Sequence, residues 1–233
     1  MATDSRRTIL IVGISRGLGR GLAAEYLRRG WLVIGTVRAP SADPTLQKLA
    51  DGTSGLLRIE QLDVTRANEI RALRERLVND CLNVLLVNAG ASNGNVPVAA
   101  VDETTFNEVM NTNALAPLKV IEALQDLVPE QGTIAVMSSG QGSISRNNNG
   151  GFEVYRASKS ALNQLMRSYA ARHQGESRTL LLIAPGWVKT ELGGPGARLT
   201  VQESVPGIVD TIDAQRATGE LRFVDYQNQT VPW

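Results

Sequence analysis

The chain of 233 residues contains one cysteine, Cys81, and one histidine, His173. A single cysteine excludes an internal disulfide and fits a reducing compartment, so a cytoplasmic location is expected. Cys81 precedes an apolar run and reads as inert packing. His173 reads as a surface residue in the last turn of a helix rather than as a catalyst or ligand. No cluster has metal-ligand spacing, and no metal is expected. No apolar run approaches the roughly 18 residues needed to span a bilayer. The opening Met1-Ala-Thr-Asp-Ser-Arg-Arg lacks the apolar core of a signal peptide. Charge of one sign is also missing: 24 basic residues stand against 23 acidic ones, for a net charge of +1. That balance points to no nucleic-acid or membrane partner. Clusters such as Arg71, Arg74 and Arg76 read as a solvated helix face.

What is present is an alternation. Strand patterns fall near 8–13, 31–37, 56–60, 83–88, 132–138, 179–184 and 221–224. Helical patterns fall near 17–29, 66–79, 103–127, 153–173 and 201–214. Several strands are continuous apolar runs, as expected where helices cover both faces of a sheet. Alternating β and α implies right-handed crossovers and a doubly wound parallel sheet of about seven strands, a single-domain α/β Rossmann fold. At this length one core and one domain, 1–233, are expected. A ligand should lie at the carboxyl ends of the strands, near the switch in strand order.

The first strand, Thr8-Ile9-Leu10-Ile11-Val12, runs into Gly13-Ile14-Ser15-Arg16-Gly17-Leu18-Gly19 and an amphipathic helix stopped by Gly30. Glycines at 13, 17 and 19 let the backbone turn tightly and approach a pyrophosphate. The helix N-terminus then offers N–H groups and positive dipole to the anion.

Tyr155 and Lys159 are four apart in a helical pattern, so they share a face. A phenol titrates near 10 and is a poor acid or base at neutral pH. A nearby ammonium should pull that pKa down. Ser139 lies sixteen residues upstream at a strand end, where it can hydrogen-bond a carbonyl oxygen. Tyr, Lys and Ser together suit proton transfer in carbonyl–alcohol chemistry.

The spacing G-x-x-x-G-x-G and the motifs downstream of it resemble the short-chain dehydrogenase/reductase family. Asp63-Val64 follows the third strand, Asn88-Ala89-Gly90 the fourth, and Asn113 sits in the next helical segment. Ser138-Ser139 ends the fifth strand, and Pro185-Gly186-Trp187-Val188-Lys189-Thr190 follows the sixth. The Gly-rich stretch before Tyr155, the segment Tyr155 to Asn163 and the tail Phe223 to Trp233 are most similar to the C-factor and sniffer-like carbonyl reductase branch. In the family pattern Ser-Ser-x-x-Gly the second serine acts, and Gly142 sets that register, which selects Ser139 over Ser138. The Ser139–Tyr155 interval is longer than is usual in the family.

The resemblance implies that Tyr155 gives the proton and Ser139 orients the oxygen. It implies that Lys159 also holds nicotinamide-ribose hydroxyls, and that Asn113 holds a water linking Lys159 to solvent. Asn111 is a nearby alternative with poorer register. Asn88, Ala89, Gly90, Asp63 and Val64 would line the adenine-ribose side. Pro185, Gly186, Trp187, Val188 and Thr190 would contact the nicotinamide carboxamide.

NAD-dependent relatives carry an acid where the second strand ends, and it repels a 2′-phosphate. This chain has Thr36, Val37 and Arg38 there, and Arg16 lies in the glycine turn. Two guanidiniums suit a phosphate, so NADP(H) is the expected cofactor.

The expected activity is NADPH-dependent reduction of a small, uncharged or weakly polar carbonyl compound. The alternative is a nucleotide-binding signalling protein of C-factor type with little turnover. Gly193-Gly194-Pro195-Gly196 suggests a mobile segment able to close over substrate. Ala157, Ala161, Leu162, Leu165, Met166 and Tyr169, with Val120, Ile121, Leu124 and Leu127, give two helices more apolar surface than one buried stripe requires. A homodimer through them, or a homotetramer, is expected.

Overall fold

The computed structural model describes residues 6–39, 44–53 and 55–233. The opening residues, where no signal peptide was read, therefore lie largely outside it. Seven strands form one parallel sheet in the order β3-β2-β1-β4-β5-β6-β7. They are β1 Thr8–Val12, β2 Leu32–Val37, β3 Leu57–Gln61, β4 Val84–Val87, β5 Thr133–Met137, β6 Thr179–Ala184 and β7 Leu221–Asp225. The helices are α1 Gly17–Arg28, α2 Pro44–Asp51, α3 Ala67–Arg76, α4 Glu103–Met110, α5 Ala116–Leu124, α6 Glu153–Arg172 and α7 Val201–Ala214.

Strand side chains alternate between faces, and the core divides accordingly. Leu10, Val12, Leu85, Val87, Ile134 and Val136 pack with α3, α5 and α6. Ile9, Ile11, Val84, Leu86, Ala135 and Met137 pack with α1 and α7 on the other face. Both layers are apolar, which is why the central strands read as unbroken hydrophobic runs. Strand order reverses between β1 and β4, and the crevice at their carboxyl ends is the switch point of such a sheet.

Two elements differ from expectation. Helix α2 was not foreseen, because Leu46 and Leu49 alone mark its apolar side. The long helix expected over 103–127 is α4, a π turn at Asn111–Leu115, α5 and a short 3-10 turn at Gln125–Leu127. The extra residue of a π turn leaves the apolar pattern readable, so sequence periodicity passes over it.

Cys81 is exposed, which corrects its reading as packing. It stands just before Leu82, and Leu82 takes the buried place instead. His173 follows the last turn of α6, stacked on Tyr169 with ring centroids 4.2 Å apart.

Candidate active site

A cleft of about 1690 Å³ runs along the carboxyl ends of the strands. Every site residue named from sequence lines it except Gly19 and Asn113. Those two act from beneath. A Cβ on Gly19 would stand 1.9 Å from the Gly13 carbonyl oxygen, so only glycine lets α1 start this close to β1. Asn113 is fully buried in the π turn. Its Oδ1 accepts from Ala91 N at 2.8 Å, and its Nδ2 donates to Ala91 O at 2.8 Å and to Ser158 Oγ at 2.9 Å. One amide thus ties the chain beyond β4 to α6.

At the dinucleotide end, the glycine turn is held by residues the motif does not contain. Gly13 N donates to Thr36 Oγ1 at 3.0 Å, and Asn88 Nδ2 donates to Gly13 O at 2.8 Å. Asn88, expected to line the adenine-ribose side, lines the cleft and also gives an amide hydrogen to the turn. Asp63 accepts from Thr65 N and Thr65 Oγ1 at 3.0 and 2.7 Å. Burial raises its pKa, but the Thr65 bonds and the charges of Arg66 and Arg38 outweigh this and hold the carboxyl below its usual value. Arg38 is exposed at the end of β2. Arg16 forms an ion pair with Glu191 across the cleft, a partner that sequence spacing could not reveal.

At the other end, Ser138 and Ser139 both line the cleft but have different partners. Ser138 is buried and donates to Asn163 Oδ1 at 2.6 Å. Ser139 Oγ accepts from Gln141 N at 3.1 Å and faces the Tyr155 phenol across the cleft wall, where it favours the phenolate. A Cβ on Gly142 would lie 3.0 Å from Lys159 Cβ, so the loop beyond β5 can lie against α6. Lys159 is buried and donates from Nζ to Met137 O at 2.9 Å. Its Nζ lies 5.8 Å from the centroid of the Tyr155 ring.

The electrostatics correct one expectation. The ammonium was expected to lower the Tyr155 pKa. Instead burial pushes Tyr155 up to about 12, with Ser139 opposing, and burial pushes Lys159 down to about 8. Loss of hydration disfavours both charged forms more strongly than the pair supports them. The phenol is therefore a neutral acid that keeps its proton through neutral pH.

The loop 193–198, read as a mobile segment able to close over substrate, is hydrogen-bonded to the chain before it in this structure. Trp187 Nε1 donates to Gly193 O at 2.7 Å, and Gly193 N to Thr190 Oγ1 at 3.0 Å. Lys189 N donates to Leu199 O at 2.7 Å, and Ala197 is buried.

Among the described residues no group of His, Cys, Asp and Glu could hold a metal, and no helix is long and apolar enough to cross a membrane.

A parallel sheet with a glycine turn at its switch point and a Ser–Tyr–Lys set on the facing wall define a dinucleotide-dependent redox scaffold. A model of the short chain dehydrogenase family matches residues 7–212, and the chain belongs to that family. It is 51% identical to a candidate short-chain dehydrogenase/reductase from Burkholderia multivorans solved with bound NADP. That match has a TM-score of 0.95 over 98% of this chain and 100% of the other. A carbonyl reductase from Pseudomonas aeruginosa PAO1 in complex with NADP is 38% identical, with a TM-score of 0.91 over 98% and 100% of the two chains. The C-signal of Myxococcus xanthus is 36% identical over 167 residues, 70% of this chain and 100% of that protein.

Proposed function

We propose that the protein is an NADPH-dependent carbonyl reductase that converts a ketone or aldehyde to an alcohol, working as one domain over residues 1–233. The observation that carries this reading is the meeting of Ser139, Tyr155 and Lys159 on one wall of the cleft that holds the glycine turn. The NADP bound by the Burkholderia relative and the reductase named from Pseudomonas support it.

The residues present fit the cofactor. The cleft exceeds the roughly 300–1,000 Å³ of a site for one small ligand, leaving room for a dinucleotide and a substrate. The backbone at Gly13, Ser15, Gly17 and Leu18 and the N-terminus of α1 suit the pyrophosphate. Arg16 and Arg38, with no acid at the end of β2, suit a 2′-phosphate. Asp63, Val64, Ala89 and Gly90 would flank the adenosine, Lys159 the second ribose, and Pro185 to Thr190 the carboxamide. Bound NADPH supplies a hydride to the carbonyl carbon.

The protein manages the proton. Tyr155, held neutral by its surroundings, delivers the phenolic proton to the substrate oxygen. Ser139, on the same wall as Tyr155, orients and polarises the same oxygen. The Lys159 ammonium favours the phenolate that forms. Both Nδ2 hydrogens of Asn113 are already engaged, so a water held there would donate to one of its two oxygens, Oδ1 or the main-chain carbonyl.

We also propose that two copies pair through the helical face around α6. A purely regulatory role, of the kind the C-signal name suggests, leaves the gathered acid–base set without a purpose. The deciding experiment follows NADPH consumption across a panel of ketones and aldehydes. Tyr155→Phe should lower turnover by roughly 10²-fold or more with NADPH still bound. A near wild-type rate in that variant removes Tyr155 as the acid. No consumption with any compound overturns the reductase reading.

A further inference from the structure

The loop beyond β4 carries an amide with nothing to bond. Both Oδ1 and Nδ2 of Asn93 are buried without a hydrogen-bond partner. Each of the other buried orphans among the described residues is a single atom of its side chain. Among the described residues Asn93 alone has two separate side-chain polar atoms unmet, an amide nitrogen and an amide oxygen.

The loop is not free to relieve this. On one side Asn113 holds both main-chain groups of Ala91. Gly94 N donates to Ser92 Oγ at 3.1 Å. On the other side Asn95 Oδ1 accepts from Phe152 N at 2.8 Å, and Glu153 Oε2 accepts from Val98 N at 2.7 Å. Asn93 sits between these anchors and lines the cleft with Phe152 and Tyr155. A leucine has nearly the same shape and would carry no unmet polar atoms. An unsatisfied buried amide is destabilising, so its presence in a cleft wall calls for a partner that arrives from outside.

We propose that Asn93 recognises the substrate, and that the substrate carries a primary carboxamide or a lactam besides the carbonyl that is reduced. Such a group offers a donor and an acceptor side by side, matching both unmet atoms of Asn93. The match holds whichever way the Asn93 amide is turned, because both of its ends are unmet. A carboxylate offers acceptors alone and leaves Oδ1 bare. An ether does the same with one atom. Sites built to hydrogen-bond a substrate group discriminate strongly against analogues that lack it. The proposal rests on the reductase reading, so its test separates binding from turnover.

The probes are benzaldehyde and the ortho, meta and para formylbenzamides. Their binding to the NADP-loaded protein is measured by calorimetry, with NADPH consumption followed in parallel. At least one formylbenzamide should bind roughly tenfold or more tightly than benzaldehyde. Asn93→Leu and the near-isosteric Asn93→Asp should each shrink that ratio to under about threefold, with NADP affinity unchanged. Melting curves confirm that both variants fold, and the Asp variant keeps the shape should Leu disturb the loop. A wild-type protein that binds all four aldehydes alike, or a preference that survives in both variants, overturns the proposal. Amide-selective binding without NADPH consumption would uphold the recognition role of Asn93 and overturn the reductase reading alone.

Discussion

The side-chain oxygen of Asn95 accepts the main-chain N–H of Phe152 at 2.8 Å, three residues before Tyr155. Phe152 is in the left-handed region, φ 50 and ψ 38, directly after Gly150 and Gly151 at φ 63 and 69. Left-handed backbone costs a non-glycine residue about 1–2 kcal/mol. It persists where surrounding contacts fix it, and it concentrates at functional sites. Here three successive left-handed residues swing the chain onto the first turn of α6. Arg156 Nε adds a 2.8 Å bond to Gly151 O.

Asn95 is thus a positioning residue for Tyr155, acting through Phe152. Asn95→Ala should lower kcat by roughly tenfold, as small misplacements of a catalytic group do, and leave the NADPH affinity unchanged. Asn95→Asp keeps an acceptor oxygen and should restore most of the rate. Equal kcat in the wild type and Asn95→Ala would show that the clamp does not set Tyr155.

The opposed shifts of Tyr155 and Lys159 fix the pH behaviour. Burial lowers Lys159 from 10.5 to about 8, while Tyr155 is raised to about 12. Between pH 8 and 10.5 the unfolded chain binds more protons at Lys159 than the folded chain does, so stability contributed by this group rises with pH there. It is lost again as pH falls through about 8. Activity runs the other way. Tyr155 stays protonated across the range, but the ammonium disappears above about pH 8. The kcat/KM for reduction should be flat to about pH 8 and then decline. The rise in melting temperature over the same interval should vanish in Lys159→Met. A rate that climbs through pH 9 would contradict this assignment.

In the proposed nucleotide site Arg16 has Glu191 as a partner for its guanidinium. An exposed pair of this kind is weak, typically under about 1 kcal/mol, and yields to a phosphate. NADPH should bind at least tenfold more tightly than NADH, about 1.4 kcal/mol. Arg38→Asp should reverse that order, because attraction is lost and repulsion is added. Glu191→Gln frees Arg16 and should strengthen NADPH binding a few-fold without changing NADH binding. Equal affinity of the unaltered protein for both nucleotides would remove Arg16 and Arg38 from the phosphate site.

The sheet was legible because its central strands are apolar on both sides, and the glycine turn because Gly13, Gly17 and Gly19 punctuate a strand and a helix. Ser139, Tyr155 and Lys159 were legible because helical spacing and a strand end suffice to bring them together. Asn95 and Glu191 were not. Their partners lie 57 and 175 residues away in the chain, and only the folded crossovers bring them close. The pKa directions were misjudged because pair spacing is visible in sequence and desolvation is not. The helix faces were misjudged for a related reason. Leu162, Met166, Tyr169, Val120, Ile121 and Leu124 looked surplus to one stripe, yet all are buried within the chain. A helix between a sheet and a neighbouring helix buries two adjoining sides.

The proposed pairing therefore rests on fewer residues than the sequence suggested. Leu165, Leu115 and Phe106 remain 38%, 45% and 37% exposed on α6, the π turn and α4, elements that touch one another. In the proposed pairing these exposed apolar side chains on adjoining elements form one interface, and a two-fold pair is the commonest closed form. Light scattering at micromolar concentration should give about 50 kDa, or about 100 kDa for a tetramer. The chain alone is 25.1 kDa. Leu165→Glu places a charge on this surface and should shift the mass to that of one chain. Because α6 also carries Tyr155 and Lys159, turnover should fall with the loss of the partner and recover as protein concentration is raised. A 25 kDa mass for the unaltered protein would refute the pairing and assign Leu165 to an ordinary solvated surface.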